Sequence, residues 1–253
     1  MIGTSLSRKS NASLMSNQTS VTEMFDGIAE NYDRLNHLLS FGIDRFWRRR
    51  TSKCISHLHP STILDVATGT ADLAIQLAHD NPDAIISGVD LSKEMLNIGN
   101  QKVNNRKLSH RIHLEIADAA ALPFADGSFD VVTVAFGVRN FGDREAGLRE
   151  MVRVCREDGM VAVLEFSHPT NALVRAPYRW YSRQWIPRIG QKVSKHSTAY
   201  NYLPSSVEAF PPTETFIAML EQAGLRDLQT KAFNGGIATL YYGYALKNPE
   251  SSQ

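Results

Sequence analysis

Ile63-Leu64-Asp65-Val66-Ala67-Thr68-Gly69-Thr70-Ala71-Asp72-Leu73 is the stretch on which the reading of this chain turns. It runs as an apolar strand ending in Asp65, a turn of small residues, and a helix opening near Thr70. Small residues let a ligand approach the backbone closely, and the first N–H groups of a helix have no internal partners and point at whatever sits there. That makes the stretch a nucleotide-type binding turn. The dinucleotide fingerprint would place glycine where this chain has Ala67, Gly69 and Ala71, and here a carboxylate already stands at the strand end. Such a carboxylate would repel a pyrophosphate but suits a ligand that carries an ammonium group or ribose hydroxyls.

Downstream of this turn the pattern alternates between strand and helix, which predicts parallel βαβ units covered on both faces. Strands are expected at Thr62 to Ala67, Ala84 to Asp90, Arg111 to Ala117, Phe129 to Phe136 and Gly159 to Ser167, with helices between them and Ser92 as the N-cap of one. A last amphipathic helix follows Pro211-Pro212-Thr213, and two strands, Leu225 to Phe233 and Ile237 to Leu246, are joined by the hairpin signal Asn234-Gly235-Gly236. Asp65, Asp90 and Asp118 fall at the carboxyl ends of successive strands, the edge of an open α/β sheet where ligands sit. A carboxylate with two acceptor oxygens at Asp90 suits paired ribose hydroxyls, Asp118 with Ala119 suits an adenine, and Gly69 with Thr70 suits an amino-acid moiety. S-adenosylmethionine carries all three groups.

Upstream, Ser20 and Glu23 form a capping box ahead of Val21, Met24, Phe25, Ile28 and Tyr32 at helical spacing, so ordered structure is expected from about residue 20. The Ser- and Asn-rich residues 1–20 read as a disordered tail, and residues 21–253 as one domain. A second helix, Asp44 to Leu58, carries Arg45, Arg48, Arg49, Arg50 and Lys53. Residues 168–210 break the alternation and read as an insertion or lid on the substrate side. This segment mixes aromatic and basic side chains, among them Tyr178, Arg179, Trp180, Tyr181 and Trp185, as helices do at lipid headgroups. The chain has 253 residues, 43% hydrophobic and 21% charged, with a net charge of +1, so nothing global favours nucleic acid. Cys54 and Cys155 both fall in helix-like patterns, which suits a reducing compartment and argues against a disulfide. With no signal-peptide or membrane-spanning pattern, the expected location is the cytoplasm. No His/Cys cluster has metal-ligand spacing, so no metal is expected.

These residues are similar to the class I S-adenosylmethionine-dependent methyltransferases and resemble, more narrowly, the ubiquinone/menaquinone biosynthesis C-methyltransferase family. The resemblance rests on Tyr32-Asp33-Arg34-Leu35-Asn36 followed by Leu39-Ser40-Phe41-Gly42 and Trp47, and on Phe136-Gly137-Val138-Arg139-Asn140 after the fourth strand. It rests also on the run from Arg153 to Gly159 with Leu164-Glu165-Phe166-Ser167, and on Tyr202-Leu203-Pro204-Ser205-Ser206; it covers about residues 21 to 247. It implies a Rossmann-like, mostly parallel seven-stranded sheet with helices on both faces and an antiparallel final strand. The chain departs from the family pattern at Asp44, where histidine is usual, at Glu157-Asp158 in place of Pro-Gly, and at Ala135, a position often serine in ubiquinone-pathway members.

The resemblance implies methylation of a ring carbon on a prenylated quinol, demethylmenaquinol giving menaquinol, with the ubiquinone-pathway 2-methoxy-6-polyprenyl-1,4-benzoquinol as the alternative. Carbon attacks a sulfonium methyl only when a neighbouring hydroxyl has lost its proton, so the enzyme must hold a phenolate in line with the donor. Arg139 and Asn140 are the candidates for the phenolate oxygen, and His168, Asp33 or Tyr32 for the proton. A quinol with a long isoprenoid chain lives in a bilayer, so transient contact with the inner membrane surface through Arg45 to Lys53 and Arg175 to Lys195 is expected. The sequence leaves a homodimer open. A nicotinamide-dependent dehydrogenase, a methyltransferase for another small acceptor and a non-catalytic cofactor-binding scaffold remain as rival readings.

Overall fold

The computed structural model describes residues 21–30, 32, 33, 36, 40, 42–169 and 197–246, with side chains omitted at 197–201 and 203. The strands are β1 (Thr62–Val66), β2 (Ile85–Asp90), β3 (Ile112–Ile116), β4 (Phe129–Ala135), β5 (Cys155–Phe166), β6 (Leu225–Phe233) and β7 (Ala238–Ala245). They form one sheet in the order β3-β2-β1-β4-β5-β7-β6. All pairs from β3 to β5 are parallel, while β7 lies antiparallel to both β5 and β6. The sheet reverses between β1 and β4, so the carboxyl ends of β1, β2 and β4 open a crevice at this switch point.

Helix α1 occupies residues 21–30, and Tyr32 and Asp33 remain helical beyond it. The other helices are α2 (Ile43–Ser56), α3 (Asp72–Asp80), α4 (Lys93–Asn105), α5 (Arg144–Val154), α6 (Ser197–Glu208) and α7 (Thr213–Gln222). Parallel strands buried on both faces need apolar side chains on both, and β1 shows the alternation. Leu64 and Val66 pack with Leu148, Met151, Phe216 and Leu220 of α5 and α7, whereas Ile63 packs with Trp47, Ile55, Leu73 and Leu77 of α2 and α3. Trp47 also donates its indole N–H to Asn234 Oδ1 at 2.7 Å, fastening α2 to the β6–β7 hairpin turn. Ser92 caps α4 as the sequence predicts, its Oγ accepting from Met95 N at 3.1 Å.

Three expectations are corrected. Cys155 is not helical; it opens β5, which begins four residues before Gly159 because α5 passes into the strand without a loop. The register against β4 jumps between Phe129 and Val131, and Asp158 takes a left-handed φ of 59° to absorb the extra residues. Helix α2 ends at Ser56, short of Leu58, which stands exposed. Of the expected insertion, residues 197–208 form α6, and its two ends are tied where a ring nitrogen of His168 meets Phe210 O at 3.1 Å. The disordered tail, the Ser20 cap and the aromatic and basic run 170–196 lie outside the described residues.

A buried ion pair closes the edge of the sheet beside the crevice. Arg139, in the short 3-10 turn Val138–Asn140 after β4, places Nη1 2.7 Å from Glu165 Oε1 of β5 and 2.6 Å from Phe136 O. Its own backbone N–H donates to Glu165 Oε2 at 3.2 Å, and its guanidinium lies 5.3 Å from the centroid of the Phe166 ring. The two side chains are 5% and 0% exposed, so neither charge has water to fall back on. Removing one partner of such a pair strands the other: Arg139→Ala is expected to lower the unfolding free energy by about 3–5 kcal/mol. Urea denaturation followed by circular dichroism measures this, and a loss below about 1 kcal/mol, the range of exposed pairs, contradicts it.

Candidate cofactor and substrate site

The turn after β1 takes the conformation of a glycine-rich loop with only one glycine. Ala67, Gly69 and Ala71, the three fingerprint positions, all have positive φ, at 50°, 56° and 63°. Two alanines thus hold left-handed backbone that costs about 1–2 kcal/mol each, a cost that surrounding contacts must offset. The weak glycine pattern in the sequence hides a backbone that behaves as if the pattern were complete. Gly69 faces open space, since a Cβ there would meet nothing within 4 Å. Gly137, after β4, has the opposite reason: a Cβ would fall 2.6 Å from that of Ala67, so the two turns meet only because it has none.

Asp90, at the end of β2, holds this geometry. Its Oδ2 accepts from Gly69 N at 2.8 Å and its Oδ1 from Ser92 N at 2.9 Å, joining the β1–α3 turn to the β2–α4 turn. Burial pushes its pKa up, opposed by the Ser92 and Gly69 amides. Each oxygen has a further lone pair, and Asp90 lines an open cavity of about 730 Å³ together with Gly69, Asp118 and Ala119. Asp118 is itself shaped by a turn, its Oδ1 accepting from Ala120 N at 2.9 Å. Leu91, Met95 and Phe141 add apolar wall of the kind a flat heterocycle needs.

The same cavity is lined by Tyr32, Phe136 and Asn140 and by Val21, Thr22 and Phe25 of α1. Phe25 meets Tyr32 edge to face at 5.9 Å. Asp26 of the same helix accepts from Ser92 Oγ, which seats α1 on the start of α4. Desolvation raises the pKa of the Tyr32 phenol, opposed by the Arg139 guanidinium, a hydrogen bond with Asn36 and Arg48. Tyr32 is therefore a neutral donor and not a base at ordinary pH. Asn140 Oδ1 accepts from Tyr202 Oη at 3.0 Å.

Several residues expected at the site stand elsewhere. Asp65 is fully buried and does not line the cavity; alternation along β1 turns it to the Ile63 face, under the turn. Its Oδ2 accepts from Thr68 Oγ1 at 2.7 Å, while Oδ1 has no hydrogen-bond partner among the described residues. Desolvation pushes its pKa up to about 7, opposed by the Thr68 hydroxyl and Arg48. Thr70 and Asp33 are outside the cavity wall and bind one another, Oγ1 to Oδ1 at 2.5 Å, with Lys102 Nζ 2.8 Å from Asp33 Oδ2. His168 is exposed, and its ring is committed to Phe210 O, which takes it away from the reacting end. Arg139 is spent on Glu165 and Phe136 O, with Nε finding no acceptor among the described residues. Asp44, the departure from the family pattern, is buried and accepts from Ser40 Oγ at 2.6 Å and from Arg48, a structural role in α2.

Sequence reasoning missed Ser92 N–H as a partner of Asp90, and it missed Tyr202 and Glu165 as supports of the substrate end. Their partners lie 62 and 26 residues away for Tyr202 and Glu165, so no local spacing points to them. Among the described residues no group of His, Cys, Asp and Glu is arranged to hold a metal. The arrangement does fit S-adenosylmethionine. Open space in front of Gly69 can receive a ligand, and Asp90 and Asp118 line the cavity with carboxylate oxygens that suit a ribose and an adenine.

Comparison with known proteins agrees with this geometry. A solved S-adenosylmethionine-dependent methyltransferase from Thermotoga maritima superposes with a TM-score of 0.61 over 88% of this chain and 98% of its own, at 17% identity, a likeness of fold alone. The ubiquinone/menaquinone biosynthesis C-methyltransferase UbiE of Geotalea uraniireducens is 50% identical over 224 residues, covering 88% of this chain and 95% of that protein. The demethylmenaquinone methyltransferase of Porphyromonas gingivalis is 44% identical over 224 residues, 88% of this chain and 91% of its own. With the model of the family matching residues 13–245 as well, this chain belongs to the ubiE/COQ5 methyltransferase family.

Proposed function

We propose that the protein transfers a methyl group from S-adenosylmethionine to a ring carbon of a prenylated quinol, converting demethylmenaquinol to menaquinol. The observation that carries this reading is one cavity whose wall holds two carboxylates, Asp90 and Asp118, together with a neutral phenol and an amide, Tyr32 and Asn140. The names of the Geotalea and Porphyromonas relatives supply the acceptor class.

In this reading Asp90 takes the ribose hydroxyls, Asp118 and the Ala119 backbone the adenine, and the Gly69 turn the amino-acid end. Bound there, S-adenosylmethionine supplies an electrophilic methyl on a sulfonium sulfur. Tyr32 Oη and the Asn140 amide nitrogen donate to the quinol oxygen as its proton passes to solvent at the open cavity, which moves charge onto the attacking carbon; the ring C–H proton displaced by the methyl leaves to solvent in the same way, and the donor's sulfur departs as the neutral thioether. Arg139 acts through position: it fixes the Phe136–Asn140 turn and adds a positive field that favours an anion beside Tyr32.

The acceptor's prenyl chain requires the enzyme to reach a bilayer. No helix among the described residues is long and apolar enough to cross one. A peripheral contact suits α2, whose outer face exposes Arg45, Arg49, Arg50 and Lys53 around Phe46, itself 46% exposed with Arg50 stacked 5.2 Å from its ring.

Incubation with methyl-labelled S-adenosylmethionine and either demethylmenaquinol or the ubiquinone-type benzoquinol tests the reaction. Label on the naphthoquinol ring carbon is expected, and no label on either acceptor contradicts the reading. In the same assay Asp90→Asn should raise KM for the methyl donor about 10–100-fold, the loss of a charge-assisted bond, and Asn140→Ala should lower kcat about 100-fold. A second expectation concerns the surface: the protein should sediment with phosphatidylglycerol vesicles at low ionic strength and be released by about 0.5 M salt. Absence of sedimentation at low salt removes α2 as a membrane contact.

A further inference from the structure

We infer that Tyr202 is a positioning residue for methyl transfer: its phenol fixes which end of the Asn140 amide faces the quinol oxygen. The inference rests on the proposed quinol reading and goes beyond it by assigning a role to the segment that follows β5.

An asparagine beside a developing phenolate helps or harms according to its flip. The NH₂ end donates to the anion, and the carbonyl end repels it. Nothing in the Phe136–Asn140 turn decides between them, because that turn is built from backbone bonds and the Arg139–Glu165 pair. Tyr202 biases the choice. Its Oη lies 3.0 Å from Asn140 Oδ1, and because a phenol donates more strongly than it accepts, the pair favours the flip in which the amide oxygen takes the phenol proton and the nitrogen is left as the donor.

The phenol can be relied on to donate because it keeps its proton. Tyr202 is half-buried, and the groups that face it are Arg139, Glu165 and Arg144, with desolvation outweighing the guanidinium charges to hold the pKa above the usual tyrosine value. Its reach is fixed in turn by α6, whose following residues Val207 and Phe210 are buried, and by the His168 ring on Phe210 O. Asn140 thus comes from the turn after β4, but its orientation comes from a helix 62 residues further along the chain. An asparagine placed by the sheet alone would sample both flips and present the repelling one part of the time.

The test is a double-mutant cycle in the full chain, with S-adenosylmethionine and demethylmenaquinol, on the wild type, Tyr202→Phe, Asn140→Ala and the double variant. Tyr202→Phe removes a single hydroxyl and is expected to lower kcat about tenfold, the worth of one hydrogen bond, while KM for the methyl donor stays within twofold. In the Asn140→Ala background the same substitution should change kcat by less than twofold, since the amide it orients is gone. A general packing defect would act in both backgrounds and would move the melting temperature. Wild-type kcat in Tyr202→Phe, or independent multiplication of the two effects, overturns the inference while leaving the quinol reading intact. Absence of turnover by the wild type on either quinol overturns both.

Discussion

One carboxylate joins the parts of this structure that matter. Asp90 accepts from Gly69 N on one side and Ser92 N on the other, and thereby ties the turns that follow β1 and β2 across the switch point of the sheet. Together with Thr68 N on Val89 O and Ala71 N on Thr68 O, that tie holds Ala67 and Ala71 in left-handed backbone and keeps open the space before Gly69. The same oxygens keep lone pairs for a ligand, so the group that builds the cavity is also the group that reads what enters it. Burial pushes the Asp90 pKa up, and the Ser92 and Gly69 amides offset part of that cost to the charged form.

The substrate end is built on another plan. Here the charges are paired off, Arg139 with Glu165 inside the sheet edge and Asp33 with Lys102 beside Thr70, and what remains toward the cavity is neutral: a phenol, an amide and an aromatic wall. Such a neutral wall suits the proposed quinol acceptor, and buried Arg139 beside it favours negative charge at Tyr32. From outside the α/β repeat, α1 contributes Val21, Thr22 and Phe25 to the cavity wall, and α6 reaches Asn140 through Tyr202.

Much of this was legible in the chain. The strand, turn and helix at Ile63–Leu73, the N-cap at Ser92, the acids at the ends of β2 and β3, and the hairpin at Asn234 all follow from period, small residues and cap chemistry within a few residues of each other. The direction of Asp65 was also available, since a side chain between Leu64 and Val66 must leave the opposite face of β1, toward α2 and α3. Grouping it with Asp90 by position along the sheet overlooked that alternation. Long-range choices could not be read. Whether His168 turns to the cavity or to Phe210 O, whether Arg139 is free or bound to Glu165, and which residue orients Asn140 are settled by partners 26 to 62 residues away. The passage of α5 straight into β5 at Cys155 was hidden for a local reason: Arg156-Glu157-Asp158 has the composition of a helix end, and only Asp158's left-handed turn marks the bulge.

The most direct measurement is a crystal structure of the protein grown with S-adenosylmethionine. The account requires both ribose hydroxyls within about 2.6–3.2 Å of the Asp90 carboxylate and the adenine against Asp118 and Ala119, with the methyl directed toward Tyr32 and Asn140. A donor bound elsewhere, or one whose ribose turns away from Asp90 while the Gly69 turn keeps its shape, would contradict it.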